Sequence, residues 1–123
     1  MTNGAPVPGV LANYLAALPE RDEAAIAACL ADDIERIGPY GDVYRGRDAY
    51  ARFLKETIGS LGGYELVVDR VVGGGNVFTV ELSETVDDPP HGRLCTQEAV
   101  VFDLDDAGLI ERVAVYLRTS EHC

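Results

Sequence analysis

The sequence predicts an α+β domain: helices gathered toward the N-terminus pack on one face of an antiparallel sheet built by the second half of the chain. Two observations carry that expectation. Apolar residues recur at helical spacing as far as Leu61 and at strand spacing from Tyr64 onward. Glycine- and proline-marked turns then separate four strand-like runs. At 123 residues the chain makes one domain, able to bury roughly two-thirds of its unfolded surface around a single core.

Met1 to Pro8, rich in small residues, glycine and proline, reads as a loose arm. Val7, Val10, Leu11, Tyr14, Leu15 and Leu18 lay one apolar stripe along a first helix, and Pro19 marks its end. Asp22 is the N-cap of a second helix that turns Ile26, Cys29 and Leu30 inward and closes at Asp32-Asp33. A short hairpin follows: Ile34 to Gly38, the turn Gly38-Pro39-Tyr40-Gly41, and a strand around Asp42 to Arg45. From Asp48 to Leu61, the residues Tyr50, Phe53, Leu54, Ile58 and Leu61 share one face of a third helix that stops at Gly62-Gly63. The four long strands run Tyr64 to Val72, Val77 to Val86, Arg93 to Asp105 and Leu109 to Arg118. The domain spans 9–119, with 120–123 as a tail. Both faces of the last strand carry apolar groups, which predicts helices on one face of the sheet and a second copy of the chain on the other.

Ten Lys plus Arg against twenty-one Asp plus Glu give a net charge of -11, which repels nucleic acid and anionic membranes. No stretch approaches the ~20 apolar residues of a membrane span, and the first residues lack an export signal. Cys29, Cys95 and Cys123 show no paired spacing, so neither a disulfide framework nor a zinc cluster is indicated, and a cytoplasmic location is expected. His91 and His122 stand in dissimilar places, which predicts no metal site. Gly73 to Asn76 is a hairpin turn rather than a phosphate loop, having no following lysine or helix.

The run Val10 to Leu18, then Asp22, Leu30-Ala31-Asp32-Asp33, Pro39-Tyr40-Gly41, Gly46-Arg47 before a helix, and Asp105 to Ile110 before the last strand together resemble the NTF2-like superfamily, in its SnoaL-like and ketosteroid-isomerase-like branches. The resemblance implies a cone of three helices and a curved sheet around a mostly apolar cavity, usually in a homodimer. It implies an oxyanion-stabilising tyrosine at Tyr14. The isomerase base position falls on Gly38 and the second acid near Val100, so ordinary steroid isomerisation is not implied. The limonene-epoxide-hydrolase-like branch uses an Asp-Arg-Asp set, but its tryptophan-containing signature is absent from this Trp-free chain. Polyketide cyclases of the SnoaL type remain compatible.

Strand alternation leads to the pocket independently. With Val100 facing inward, Thr96, Glu98 and Phe102 face inward too, while Gln97, Ala99 and Val101 face out. Glu98 is the outlier in that apolar company, where burial raises a carboxyl pKa toward acid–base use; its alternative is an ion pair with Arg36 or Arg118. Tyr14 is expected to donate to a ligand oxygen, or else to bond a backbone carbonyl. Arg36, of the same strand parity as Gly38, would hold a carboxylate ligand or neutralise Glu98, or else lie at a solvated edge. Tyr40 and His91 sit in loops that would rim the mouth, although a lone histidine there is also an ordinary surface residue. The expected catalytic pair is Tyr14 and Glu98. The expected ligand-binding set is Arg36, Tyr40, Leu54, Thr96, Val100 and Leu117. The expected function is binding of a hydrophobic small molecule, with isomerase- or cyclase-type proton transfer and no cofactor; the alternative is a non-catalytic ligand-binding or protein-interaction domain.

Overall fold

Leu11, Tyr14, Leu15, Ala17 and Leu18 are the buried face of α1 (Gly9–Glu20), the apolar stripe of the sequence realised as a helix. These coordinates are a computed structural model that describes residues 7–90 and 92–122, without the side chains of 119–122. The first six residues of the expected arm, His91 and Cys123 lie outside the described residues. Pro19 sits inside the last turn of α1, one residue before its end. The helix ends at Arg21, whose left-handed backbone (φ 56°) returns its N–H to the carbonyls of Ala17 and Leu18.

Asp22 caps α2 (Glu23–Ala28), accepting the Ala25 N–H at 3.1 Å. This helix is shorter than expected. Leu30 is already paired to Ile110 in a strand, so Asp32 and Asp33 lie exposed within β1 (Leu30–Ile37) instead of closing the helix. β2 (Val43–Arg45) completes the hairpin, and α3 (Arg47–Gly59) follows. The long strands are β3 (Tyr64–Gly74), β4 (Val77–Asp88), β5 (Gly92–Leu104) and β6 (Ile110–His122).

All six strands form one sheet in the order β2-β1-β6-β5-β4-β3. The sheet is mixed rather than wholly antiparallel, because β1 runs parallel to β6. Register shifts interrupt the β3–β4, β5–β6 and β1–β6 ladders, and such irregularities bend a sheet. The helices cover its concave face in an NTF2-like α+β cone. Phe102, Leu11, Leu30, Ile34, Ile110, Val80 and Val113 are the most deeply buried side chains at the centre. Val67, Val72, Val77 and Tyr116 remain exposed. Cys29 is a free buried thiol, whereas Cys95 is disulfide-bonded, against the expectation of unpaired cysteines. Among the described residues no helix is long and apolar enough to cross a membrane.

Candidate active site

The helices and the concave sheet face enclose a cavity of about 270 Å3 whose wall is mainly aliphatic and aromatic. Among the described residues six titratable side chains reach it, each from a different element: Tyr14 (α1), Arg36 (β1), Tyr50 (α3), Tyr64 (β3), Glu84 (β4) and Glu98 (β5). Strand parity explains the last two. Val80, Leu82, Glu84 and Val86 share one face of β4, while Thr96, Glu98, Val100 and Phe102 share one face of β5.

Tyr14 packs edge-on against Phe102, ring centroids 5.7 Å apart, and its hydroxyl bonds the hydroxyl of Tyr50. Two hydroxyls that share one mutual bond use one of their two hydrogens, leaving the other free to donate. Burial raises the pKa of both, so both are protonated donors at neutral pH. Arg36 adds a further hydrogen bond to Tyr50. Across the cavity the Tyr64 hydroxyl donates to a Glu84 carboxylate oxygen, and burial, with that carboxylate second, raises the Tyr64 pKa.

Glu98 hydrogen-bonds Glu84, a contact that needs a proton between two carboxyl groups. Burial is the first cause that pushes the Glu98 pKa up to about 9; the bond to Glu84 and its charge reinforce it, and Arg36 opposes it. Arg36 is held from two further sides. Its Nη1 donates to Asp42 Oδ2 at 3.0 Å, and its guanidinium lies 4.7 Å from the centroid of the Phe53 ring. Its Nε, also buried, has no hydrogen-bond partner among the described residues. Gly38 leaves room for this arrangement: a Cβ there would overlap the Asp42 carboxylate where it now lies.

Tyr14, Glu98, Arg36, Leu54, Thr96 and Val100 therefore come together around one cavity. Two of the expected residues do not join them. Tyr40 is 83% exposed at the tip of the β1–β2 turn. Leu117 is opposite Glu98 in register and shares the strand face of Val113 and Val115, but it is not among the residues that line the cavity. It lines a neighbouring depression that shares Leu82 and Glu98 with the cavity, and Val113 and Val115 supply the β6 wall of the cavity itself. Tyr14 bonds a hydroxyl rather than a backbone carbonyl, and among the described residues no ion pair includes Glu98. Glu84, Tyr50, Tyr64 and Asp42 were not singled out from sequence, although Glu84 stands out as a carboxylate on an otherwise apolar strand face. A larger groove of about 630 Å3 between α2 and α3 shares Leu54 and Ile58 with the cavity wall, but it gathers no hydrogen-bonded titratable pair. Among the described residues no group of three or more His, Cys, Asp or Glu converges as a metal site.

The model of the SnoaL-like domain family matches residues 11–113. No curated protein matches this sequence. Among solved structures, a protein from Catenulispora acidiphila with a ketosteroid isomerase-like fold, in complex with trimethylamine, superimposes with a TM-score of 0.80 at 14% identity, covering 90% of this chain and 86% of that one. An LEH-like epoxide hydrolase from M. tuberculosis gives a TM-score of 0.78 at 25% identity, covering 89% and 80%. The epoxide hydrolase/cyclase-like enzyme SalBIII, of pyran ring formation in salinomycin, gives 0.78 at 21%, covering 89% and 88%. With a family match over most of its length and the same cone in these structures, the chain belongs to the SnoaL-like family.

Proposed function

We propose that the protein binds a small, largely apolar molecule in the cone cavity and transfers protons on it without a cofactor. The observation that carries this reading is the hydrogen-bonded Glu84–Glu98 pair inside an apolar wall, one member of which keeps its proton at neutral pH. Such a pair offers an acid and a base side by side. Glu98 gives its proton to a substrate oxygen while Glu84 takes one from water or from an activated carbon–hydrogen bond. The proton then crosses the carboxyl–carboxyl bond and restores the starting state. The spare hydroxyl hydrogen of the Tyr14–Tyr50 pair supports negative charge as it develops on that oxygen.

The steroid-isomerase arrangement is not reproduced, since Gly38 and Val100 supply no carboxyl group. The carboxyl groups come from the neighbouring strands β4 and β5. Epoxide opening needs the same division of labour, an acid at the ring oxygen and a base at the attacking water, and the M. tuberculosis relative is described as an epoxide hydrolase. It is the reaction to test first, ahead of isomerisation and cyclisation.

The test is turnover of a panel of small cyclic epoxides and enones in isotopically heavy water by the parent protein, Glu98→Gln and Glu84→Gln. A diol carrying one heavy oxygen is expected, with each variant slower by about 100-fold or more. Equal turnover by Glu98→Gln and the parent removes Glu98 from the chemistry. Binding of every compound with no product favours a ligand-storage role for the same cavity.

A further inference from the structure

Arg36 brings a positive charge to the cavity, and its hydrogen bonding is incomplete. A guanidinium carries five N–H hydrogens in a planar fork. Asp42 takes one at 3.0 Å, the Tyr50 hydroxyl takes another, and the plane rests on Phe53. The Nε–H, buried on a side chain that lines the cavity, meets no acceptor among the described residues. A buried donor of a charged group is costly to leave without a partner, so this one calls for an acceptor supplied by the cavity's occupant.

The charges around it restrict what that occupant is. Arg36 is positive and Asp42 negative. The Glu84–Glu98 pair, with one proton between its members, is negative as well. The cluster therefore already carries one excess negative charge, which opposes an anionic ligand in a low-dielectric site. A cationic ligand suits that charge but brings no acceptor for Nε. A neutral oxygen satisfies both conditions.

We propose that Arg36 Nε anchors a neutral acceptor oxygen of the ligand, such as that of a ketone, lactone or epoxide, rather than a carboxylate, and that Asp42 is the residue that positions the guanidinium for it. Asp42 is able to do this because its carboxylate occupies the volume that a side chain at position 38 would fill. The glycine that leaves no base at position 38 is thus what admits the carboxylate that fixes Arg36. The inference rests on the proposed use of the cavity as the ligand site and names the ligand's chemical class.

The test is binding, followed by backbone amide NMR, of three rings of similar size: cyclooctanone, cyclooctanecarboxylate and cyclooctylammonium. Cyclooctanone is expected to bind at least about tenfold more tightly than either charged probe, and Arg36→Lys, which keeps the charge but has no Nε–H fork, to lose about tenfold. Gly38→Ala, whose Cβ meets the Asp42 carboxylate first, should weaken cyclooctanone binding in step with Asp42→Asn. Carboxylate binding as tight as the ketone's, no saturable ketone binding, or an unchanged ketone affinity in both Arg36→Lys and Arg36→Met overturns the assignment. The two proposals fail separately. Undiminished turnover by Glu98→Gln with Arg36-dependent ketone binding sinks the acid–base chemistry alone, and the reverse pattern sinks the anchor alone.

Discussion

The carboxyl of Glu98 ties the stability of this protein to pH. Its ordinary value is 4.5, and in the folded state it is pushed up to about 9. Between those values the native chain holds a proton that the unfolded chain has released, so raising the pH favours unfolding. The contribution is whole below the lower value and is lost as pH climbs through the upper one. Urea midpoints should therefore fall between about pH 5 and 9, and Glu98→Gln, which imitates the protonated group, should flatten the decline. An identical slope in the variant would show that Glu98 is not the responsible group. Glu98 was visible from sequence because strand parity alone puts it among Val100 and Phe102. Its partner Glu84 has the same signature beside Val80 and Leu82, but pairing two carboxyl groups across β4 and β5 depends on register, and the printed order of residues does not give register.

Helix signals in this chain mark starts better than ends. Asp22 identifies the beginning of α2 because a short oxygen-bearing side chain reaches the N–H three residues on, a purely local interaction. Asp22→Ala should cost about 1 kcal/mol in denaturant unfolding, and no loss would mean that α2 is held by packing alone. The end of α2 is a tertiary matter. Leu30 leaves the helix because Ile110, eighty residues later, receives it as a parallel strand partner, and no local residue announces that. Pro19 gives the end of α1 to within one residue, while the left-handed turn that closes it falls on Arg21, a residue type with no strong preference for it. The four long strands, bounded by glycine and proline turns, needed no distant information and fall close to where the alternation puts them.

For the molecule as a whole, the cone was readable because its two periodicities are separated along the chain. Leu117 shares the strand face of Val113 and Val115, opposite Glu98, but lies farther along β6 than the residues that wall the cavity. The outer sheet face exposes Val67, Val72, Val77 and Tyr116, and with it we propose a homodimer. Light scattering should give twice the 13.2 kDa of one chain, and Tyr116→Arg should shift the mass toward the monomer. A monomeric mass for the parent at micromolar concentration would leave that face to solvent.

The closeness of Gly38 to Asp42 also has an evolutionary reading. One small volume has two possible tenants, a side chain rooted at position 38 or the carboxylate rooted at position 42 in its present place, and each displaces the other. The two positions are therefore not independent letters. A lineage that gains a residue at the first has to move the carboxylate at the second away from its present place on Arg36, so a change of chemistry at this end of the cone draws both positions into one coupled exchange.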